Sequence, residues 1–308
     1  MFGKTCFDPP ETNLVRPAFP VTAKVLKTYS CLNGKSASFV RHIDLDLSGT
    51  ALAGHVRAGQ SIAVIPPGLA KRGNPEKARW YSISSATAGP DGSGAVISLC
   101  VKRLIDEYQP TSASAPERGP LFVGTCSNYL CDLQVGDEVM VAGPSGKHFI
   151  LPVSPRDYQF VFLATGTGIA PFRGFLKDLE AMGALRDGVS VQLIMGSPYN
   201  TDLLYHDEFL ELSSRYEGFN YDWSLSREDA GALGRRAYLS EIIAETPRVQ
   251  HMLAAHNTLI YICGLTGIQR GVYEVLVELG LQQPYLTTTE RRGRVHMRPS
   301  RRCLVEVY

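Results

Sequence analysis

The sequence predicts a two-domain chain, with an N-terminal antiparallel β-barrel or sandwich over residues 21–152, a C-terminal α/β doubly wound parallel sheet over 153–308, and an extension over residues 1–20. Three observations carry this prediction. The first is length: 308 residues make about two ordinary domains, each able to bury a core without disulfide or metal staples. The second is the pattern before Pro152, where VTAKVLKTYS, SFVRHIDLDL, SIAVIPP, RWYSISS, AVISLCVKRL and EVMVAGP are short strand-like runs broken by Gly and Pro, the spacing of an antiparallel barrel or sandwich. The third is the change after Pro152, where apolar strands (FVFLATG, VSVQLIMG) alternate with amphipathic helical stretches (PFRGFLKDLEAMG, DLLYHDEFLELSSRY), the pattern of a parallel sheet. LPVSPRDY at 151–158 has linker composition and marks the boundary. PTSASAPERGP at 110–120 reads as a surface loop.

Composition narrows the function. Hydrophobic residues at 44% and charged residues at 20%, with no long uninterrupted apolar run, describe a globular chain without a membrane span. A net charge of +1 argues against a general nucleic-acid binder. The seven cysteines (6, 31, 100, 126, 131, 263, 303) contain no CxxC pair and the seven histidines no HExxH, so reduced thiols and no metal are expected. The start, MFGKTCFDPPETNLVRP, has neither a signal-peptide core nor a transit-peptide composition, so a cytoplasmic location is expected, with a mature organelle protein, which would look the same, as the alternative. Oligomeric state is not written in any of these features.

The 29 glycines and 19 prolines concentrate interest on a few turns. In FVFLATGTGIAPFRGFL an apolar strand runs into Gly166, Thr167 and Gly168, and a helix with Pro171 in its first turn follows. Small residues permit close backbone approach, and the helix start presents free amides and a positive dipole end, which together suit a pyrophosphate. A tight turn that merely joins strand to helix fits the same residues. Because Pro occupies position 171, the GxGxxG fingerprint is absent. WSLSRED and GRRAYLS gather Ser226, Arg227, Arg236 and Tyr238, which suit a terminal phosphate beside an adenine or, alternatively, form a solvated charged loop. Cys263 and Gly264 end a buried strand of a predicted parallel sheet, where such folds place chemistry; a buried structural Cys is the other reading. In RWYSISS, strand alternation puts Arg79 and Tyr81 on one face and Trp80 and Ser82 on the other, fit for a phosphate and a flat ring or for plain barrel packing. Ser127 and Asn128 suit a helix start in CSNYLCDL, either a phosphate-contacting turn or a barrel-capping helix.

Taken together, RWYSIS, LCVKRL, CSNYLCDL, GTGIAPFR, LLYHDEF, SRED, YICGL and the final VEVY resemble the ferredoxin–NADP(+) reductase family of plant and cyanobacterial type, in order from about Val21 to Tyr308. The resemblance implies an FAD-binding barrel, an NADP-binding α/β domain, and flavin in the cleft between them. It implies that Arg79 meets the FAD pyrophosphate, Tyr81 stacks on the isoalloxazine and Ser82 lies near flavin N5. Cys100, Lys102 and Leu104 fall near the adenosine half of FAD, and Cys126, Ser127 and Asn128 at its phosphates and ribityl chain. Thr167, Gly168 and Pro171 match the loop under the NADP pyrophosphate and nicotinamide. Ser226, Arg227, Arg236 and Tyr238 match the 2′-phosphate pocket. Cys263 and Gly264 match the nicotinamide end, Glu306 the carboxylate at the active site, and Tyr308 the aromatic covering the flavin.

The activity so implied is electron exchange between NADP(H) and ferredoxin or flavodoxin. The alternatives are the reductase component of an oxygenase system and a flavin-bearing module without turnover. Two features depart from the family pattern: Ile105, Asp106 and Glu107 precede Tyr108 where plant members often place an adenine-stacking Tyr, and six arginines lie between Arg291 and Arg302. With Lys71, Arg72 and Lys77, that run reads as a basic rim for an acidic carrier or as a solvated segment.

Overall fold

The structure is a computed structural model that describes residues 7–32, 35–69, 73, 76–107, 121–291 and 294–308. Cys6, Lys71, Arg72, Tyr108, Arg292 and the 110–120 loop lie outside the described residues, as do the side chains of Arg291 and Arg294.

The first half contains β1 (Val21–Ser30), β2 (Val40–Asp46), β3 (Ser61–Ile65), β4 (Arg79–Ser82), β5 (Val96–Lys102), the short pair β6 (Ile105–Glu107) and β7 (Leu121–Val123), helix α1 (Thr125–Asp132) and β8 (Glu138–Ser145). Six of these strands form one antiparallel sheet in the order β4-β3-β8-β1-β2-β5. An antiparallel bridge between Ile83 and Leu99, backed by Ser84 N–H donating to the Ser98 carbonyl at 2.8 Å, joins the two edges and closes the barrel. Alternation in β1 sends Ala23 and Val25 inward, whereas β5 is buried on both faces because its outer side meets the second half. Helix α1 caps the barrel by inserting Cys126, Leu130 and Cys131 into its core. Before β1 the chain runs along β8, with Asn13 N–H donating to the Pro144 carbonyl at 2.8 Å and Val15 bridged to Gly143.

The second half follows as β9 (Gln159–Thr165), α2 (Ala170–Ala181), β10 (Val191–Ser197), α3 (His206–Arg215), β11 (Phe219–Leu225), α4 (Leu239–Glu245), α5 (Pro247–Ala254), β12 (Thr258–Gly264), α6 (Thr266–Glu278), a hairpin of β13 (Leu286–Arg291) and β14 (Arg294–Pro299), and β15 (Cys303–Val307). Five strands make a wholly parallel sheet in the order β11-β10-β9-β12-β15. Central strand β9 is apolar and buried from Phe160 to Ala164 because both faces are covered: Phe160 and Phe162 face one core, Val161 and Leu163 the other. The arginine-rich segment, which carries no strand pattern in the sequence, forms the β13–β14 hairpin. Among the described residues all cysteines are free, no group of three His, Cys, Asp or Glu is placed to hold a metal, and no helix is long and apolar enough to cross a membrane.

An aromatic cluster welds the halves. Phe149, from the segment after β8, packs edge-on to Tyr261 at 5.3 Å, and Phe162 stacks on Phe172 at 5.0 Å. The Tyr261 hydroxyl donates to the Ile150 carbonyl at 2.7 Å, so its polar atom is satisfied within the core. Phe162→Ala empties the centre of this cluster and is expected to cost about 3–5 kcal/mol in urea unfolding.

Candidate active-site crevice

In a sheet ordered β11-β10-β9-β12-β15, the connections leave β9 toward one edge and β12 toward the other, so a crevice opens at the carboxyl ends of these neighbours. The turn after β9 presses against the end of β12. A Cβ on Gly168 would lie 2.3 Å from the Cys263 carbonyl oxygen, and one on Gly264 (φ +140°) 2.2 Å from Thr165 Oγ1. That hydroxyl accepts from Leu265 N–H at 3.1 Å. Helix α2 then begins with Pro171 in its first turn and neither a capping side chain nor an acidic residue there, leaving its positive end uncompensated.

Strand β15 supplies the opposite wall. Its register sets Glu306 beside Cys263. Burial pushes the Glu306 carboxyl up to about 7, and no hydrogen bond or ion pair engages it among the described residues. Burial, then the nearby Glu306 charge, holds the Cys263 thiol far above its ordinary range, so it is a neutral SH. Tyr308 N–H donates to the Gly264 carbonyl at 3.0 Å, and the Tyr308 hydroxyl lies 2.7 Å from Thr167 Oγ1. The terminal ring is thus held on the Gly166–Gly168 turn.

On the barrel, β4 carries the RWYS set, with Ser82 half-buried opposite Ser61 of β3. Exposed Arg79 donates to the carbonyls of Lys77 (2.8 Å) and Ala78 (3.3 Å), and among the described residues it has no carboxylate partner. Tyr81 packs against Cys126, and burial raises its hydroxyl far above the usual range. Burial also raises the Cys126 thiol, opposed by a bond with Tyr81 and by the Arg79 charge. Ser127 and Asn128 are occupied with backbone: Ser127 Oγ accepts from Leu104 N–H at 3.2 Å, and Asn128 Nδ2 donates to the carbonyls of Leu104 (3.0 Å) and Gly124 (2.9 Å). These bonds tie the exit of β5 to α1, so what the CSN turn offers a ligand is mainly its backbone amides. Lys102 and Leu104 are exposed beside this turn, but Cys100 is not part of the group. It faces the second half, next to Cys31 and Tyr205.

The loop after β11 folds back so that Ala237 N–H donates to the Leu225 carbonyl at 3.0 Å, which sets Ser226 and Arg227 alongside Arg236 and Tyr238. Arg227 lies over the Tyr199 ring at 5.8 Å, Arg236 pairs with Asp229 at 3.4 Å, and Tyr238 is 70% exposed. Tyr199, absent from the sequence-derived set, is signalled only by its place just past the carboxyl end of β10. Arg235, beside the predicted Arg236, is committed to Glu241 at 2.7 Å and to Glu245.

A family model described as an oxidoreductase NAD-binding domain matches residues 162–274. A ferredoxin–NADP reductase of Synechocystis sp. is 36% identical over 308 residues, covering 96% of this chain and 69% of that protein. The chain belongs to the ferredoxin–NADP reductase family. The chloroplastic leaf isozyme 1 of Arabidopsis thaliana is 35% identical over 271 residues, covering 87% of this chain and 72% of that one. The fold is shared with the ferredoxin-NADP+ reductase from Plasmodium falciparum at a TM-score of 0.69 and 22% identity, across 98% of this chain and 100% of that one.

The raised Glu306 carboxyl makes a signed prediction for this reductase-family fold. A carboxyl raised in the folded state favours folding fully below its unfolded value of 4.5 and loses that contribution as pH climbs through about 7. Glu306→Gln is therefore expected to match wild type in chemical denaturation at acid pH and to exceed it above neutrality, by on the order of 3 kcal/mol at most.

Proposed function

We propose that the protein is an FAD-dependent oxidoreductase that passes electrons between NADP(H) and an acidic one-electron carrier, ferredoxin or flavodoxin. The carrying observation is the convergence of Cys263, Glu306, Tyr308 and the Gly166–Gly168 turn at the carboxyl ends of two adjacent parallel strands. Family membership and the names of the relatives support the same reading.

The residues fit the two groups. On the barrel, Arg79, which has no carboxylate partner among the described residues, and the α1 start without an acidic first turn offer a pyrophosphate a cation and amides, and Tyr81 offers a broad ring. In the crevice, the Gly166–Gly168 turn and the uncompensated start of α2 suit a second pyrophosphate. Ser226, Arg227, Arg236 and Tyr238 meet the ribose end with donors and a ring, which favours a 2′-phosphate over a free hydroxyl.

Bound flavin supplies the ability to take two electrons as hydride and release them singly. The chain's residues orient and protonate. Glu306, balanced near neutrality, is suited to exchange a proton with solvent, and Ser82 is the hydroxyl that receives or relays it. Tyr308 shields the crevice until nicotinamide takes its place, and Thr167 Oγ1, its present partner, is then free to bond the incoming nucleotide. The neutral Cys263 thiol fills the floor without adding charge.

Lys147, His148 and Arg301 are exposed around a cleft of about 890 Å³ that reaches Glu306, and Lys77 and Arg298 are exposed as well. The lysines and arginines among these match an acidic carrier. NADPH should bleach the flavin's visible band much faster than NADH, and Arg227→Ala should weaken NADPH by roughly 10- to 100-fold, the value of a charge-assisted bond, while sparing NADH. Equal wild-type rates with both nucleotides would exclude the 2′-phosphate assignment. Electron transfer to an acidic ferredoxin should slow as ionic strength rises through about 0.1 M, where the screening length is near 10 Å, and a rate indifferent to salt contradicts the basic rim.

A further inference from the structure

Helix α2 carries three contacts, none with an assigned role, and all fall on one strip of the barrel. Arg173 Nη1 donates to the Ser84 carbonyl at 2.9 Å, while its Nε pairs with Glu208 at 2.9 Å and its guanidinium lies over the Tyr205 ring at 4.8 Å. Gly174 lies so close that a Cβ there would stand 2.5 Å from the Ser85 carbonyl oxygen and 3.0 Å from Ala58 Cβ. Buried Asp178 accepts from both the Thr87 N–H and the Thr87 hydroxyl, each at 2.7 Å. Residues 173, 174 and 178 of the helix thus meet residues 84, 85 and 87 of the barrel in the same order.

The two ends of this seam matter. Gly168 precedes α2 by two residues, and Ser82 precedes Ser84 by two. The strip itself is fixed to β5 through the Ile83–Leu99 bridge and the Ser84–Ser98 bond. The turn that would hold nicotinamide and the strand that would hold flavin are therefore mounted on the two sides of one short, close-packed joint.

We propose that Arg173, Gly174 and Asp178 are positioning residues that set the distance between the nicotinamide turn and the flavin strand, and hence the alignment for hydride transfer. This rests on the function proposed above. None of the three lies at the reacting atoms. Their effect comes from geometry, since a misplacement of about 1 Å can cost on the order of 100-fold in rate.

The test is Gly174→Ala, which must push α2 off the Ser85 carbonyl. In the FAD-loaded protein, stopped-flow reduction by saturating NADPH is expected to slow at least ~10-fold. NADP+ affinity and ferricyanide reoxidation of dithionite-reduced flavin should stay at wild-type values, because neither needs the alignment. In the flavin-free protein, amide exchange across residues 83–88 should rise, a readout independent of turnover. Thr87→Val, which removes one of the two bonds to Asp178, should act in the same direction, with Thr87→Ser restoring the rate, and this pair decides the matter if Gly174→Ala does not fold. Wild-type hydride transfer in the variants, or a parallel loss of ferricyanide reoxidation, overturns the proposal. Failure of NADPH to reduce the wild-type flavin would instead refute the underlying function.

Discussion

The crevice depends on how closely the turn leaving β9 sits on the end of β12. With only hydrogens between the Gly168 α-carbon and the Cys263 carbonyl, and Gly264 lying against Thr165, the ends of two parallel strands share one compact floor. Everything at the site is measured from that floor. It brings Thr167 within hydrogen-bond reach of Tyr308, sets the start of α2 over the opening, and allows β15 to run in register along β12 so that Glu306 flanks Cys263. Any side chain at either glycine would separate the strands' exits, and each of those relations would shift together.

The joint between the halves combines two kinds of contact. The Phe149, Phe162, Phe172, Phe175 and Tyr261 cluster supplies non-directional burial. Beside it lies a polar network: His42 bonds the Tyr205 hydroxyl at 2.9 Å and Asp44 at 2.8 Å, and Ser98 donates to Asp44 at 2.6 Å. Buried polar groups left unpaired are costly, so sliding or rotating one half against the other would break the His42–Tyr205 bond, which alone of these three crosses between the halves, and leave it without replacement. Apolar burial makes the halves adhere, and the network selects one orientation among the many that burial alone would accept.

Much of this was legible in the sequence. Both sheets announce themselves through strand spacing and the strand-helix alternation, and the GTG turn, RWYS strand and SRED loop each occupy the element expected of them. What escaped has specific physical causes. Cys100 could not be oriented because β5 is apolar on both faces, so alternation does not distinguish the barrel side from the interface side. Ser127 and Asn128 are residue types that suit a phosphate as well as a backbone partner, and only the fold shows Leu104 lying beside them. The Asp178–Thr87 pair spans 91 residues, beyond any local pattern. Thr- and Arg-rich strands such as β13 and β14 carry too little apolar periodicity to betray a hairpin.

The position of β15 at one edge of the parallel sheet also bears on how the protein is made. Strand β12 is buried along its whole length, yet its partner on that side follows only after α6 and the β13–β14 hairpin. A chain emerging from the ribosome therefore carries an unpaired, apolar strand edge for the time needed to synthesise more than thirty further residues, and such edges invite pairing with other chains. Lesions that delay or remove this last strand should declare themselves first as insolubility of the nascent protein, before any loss of catalysis in the molecules that do fold.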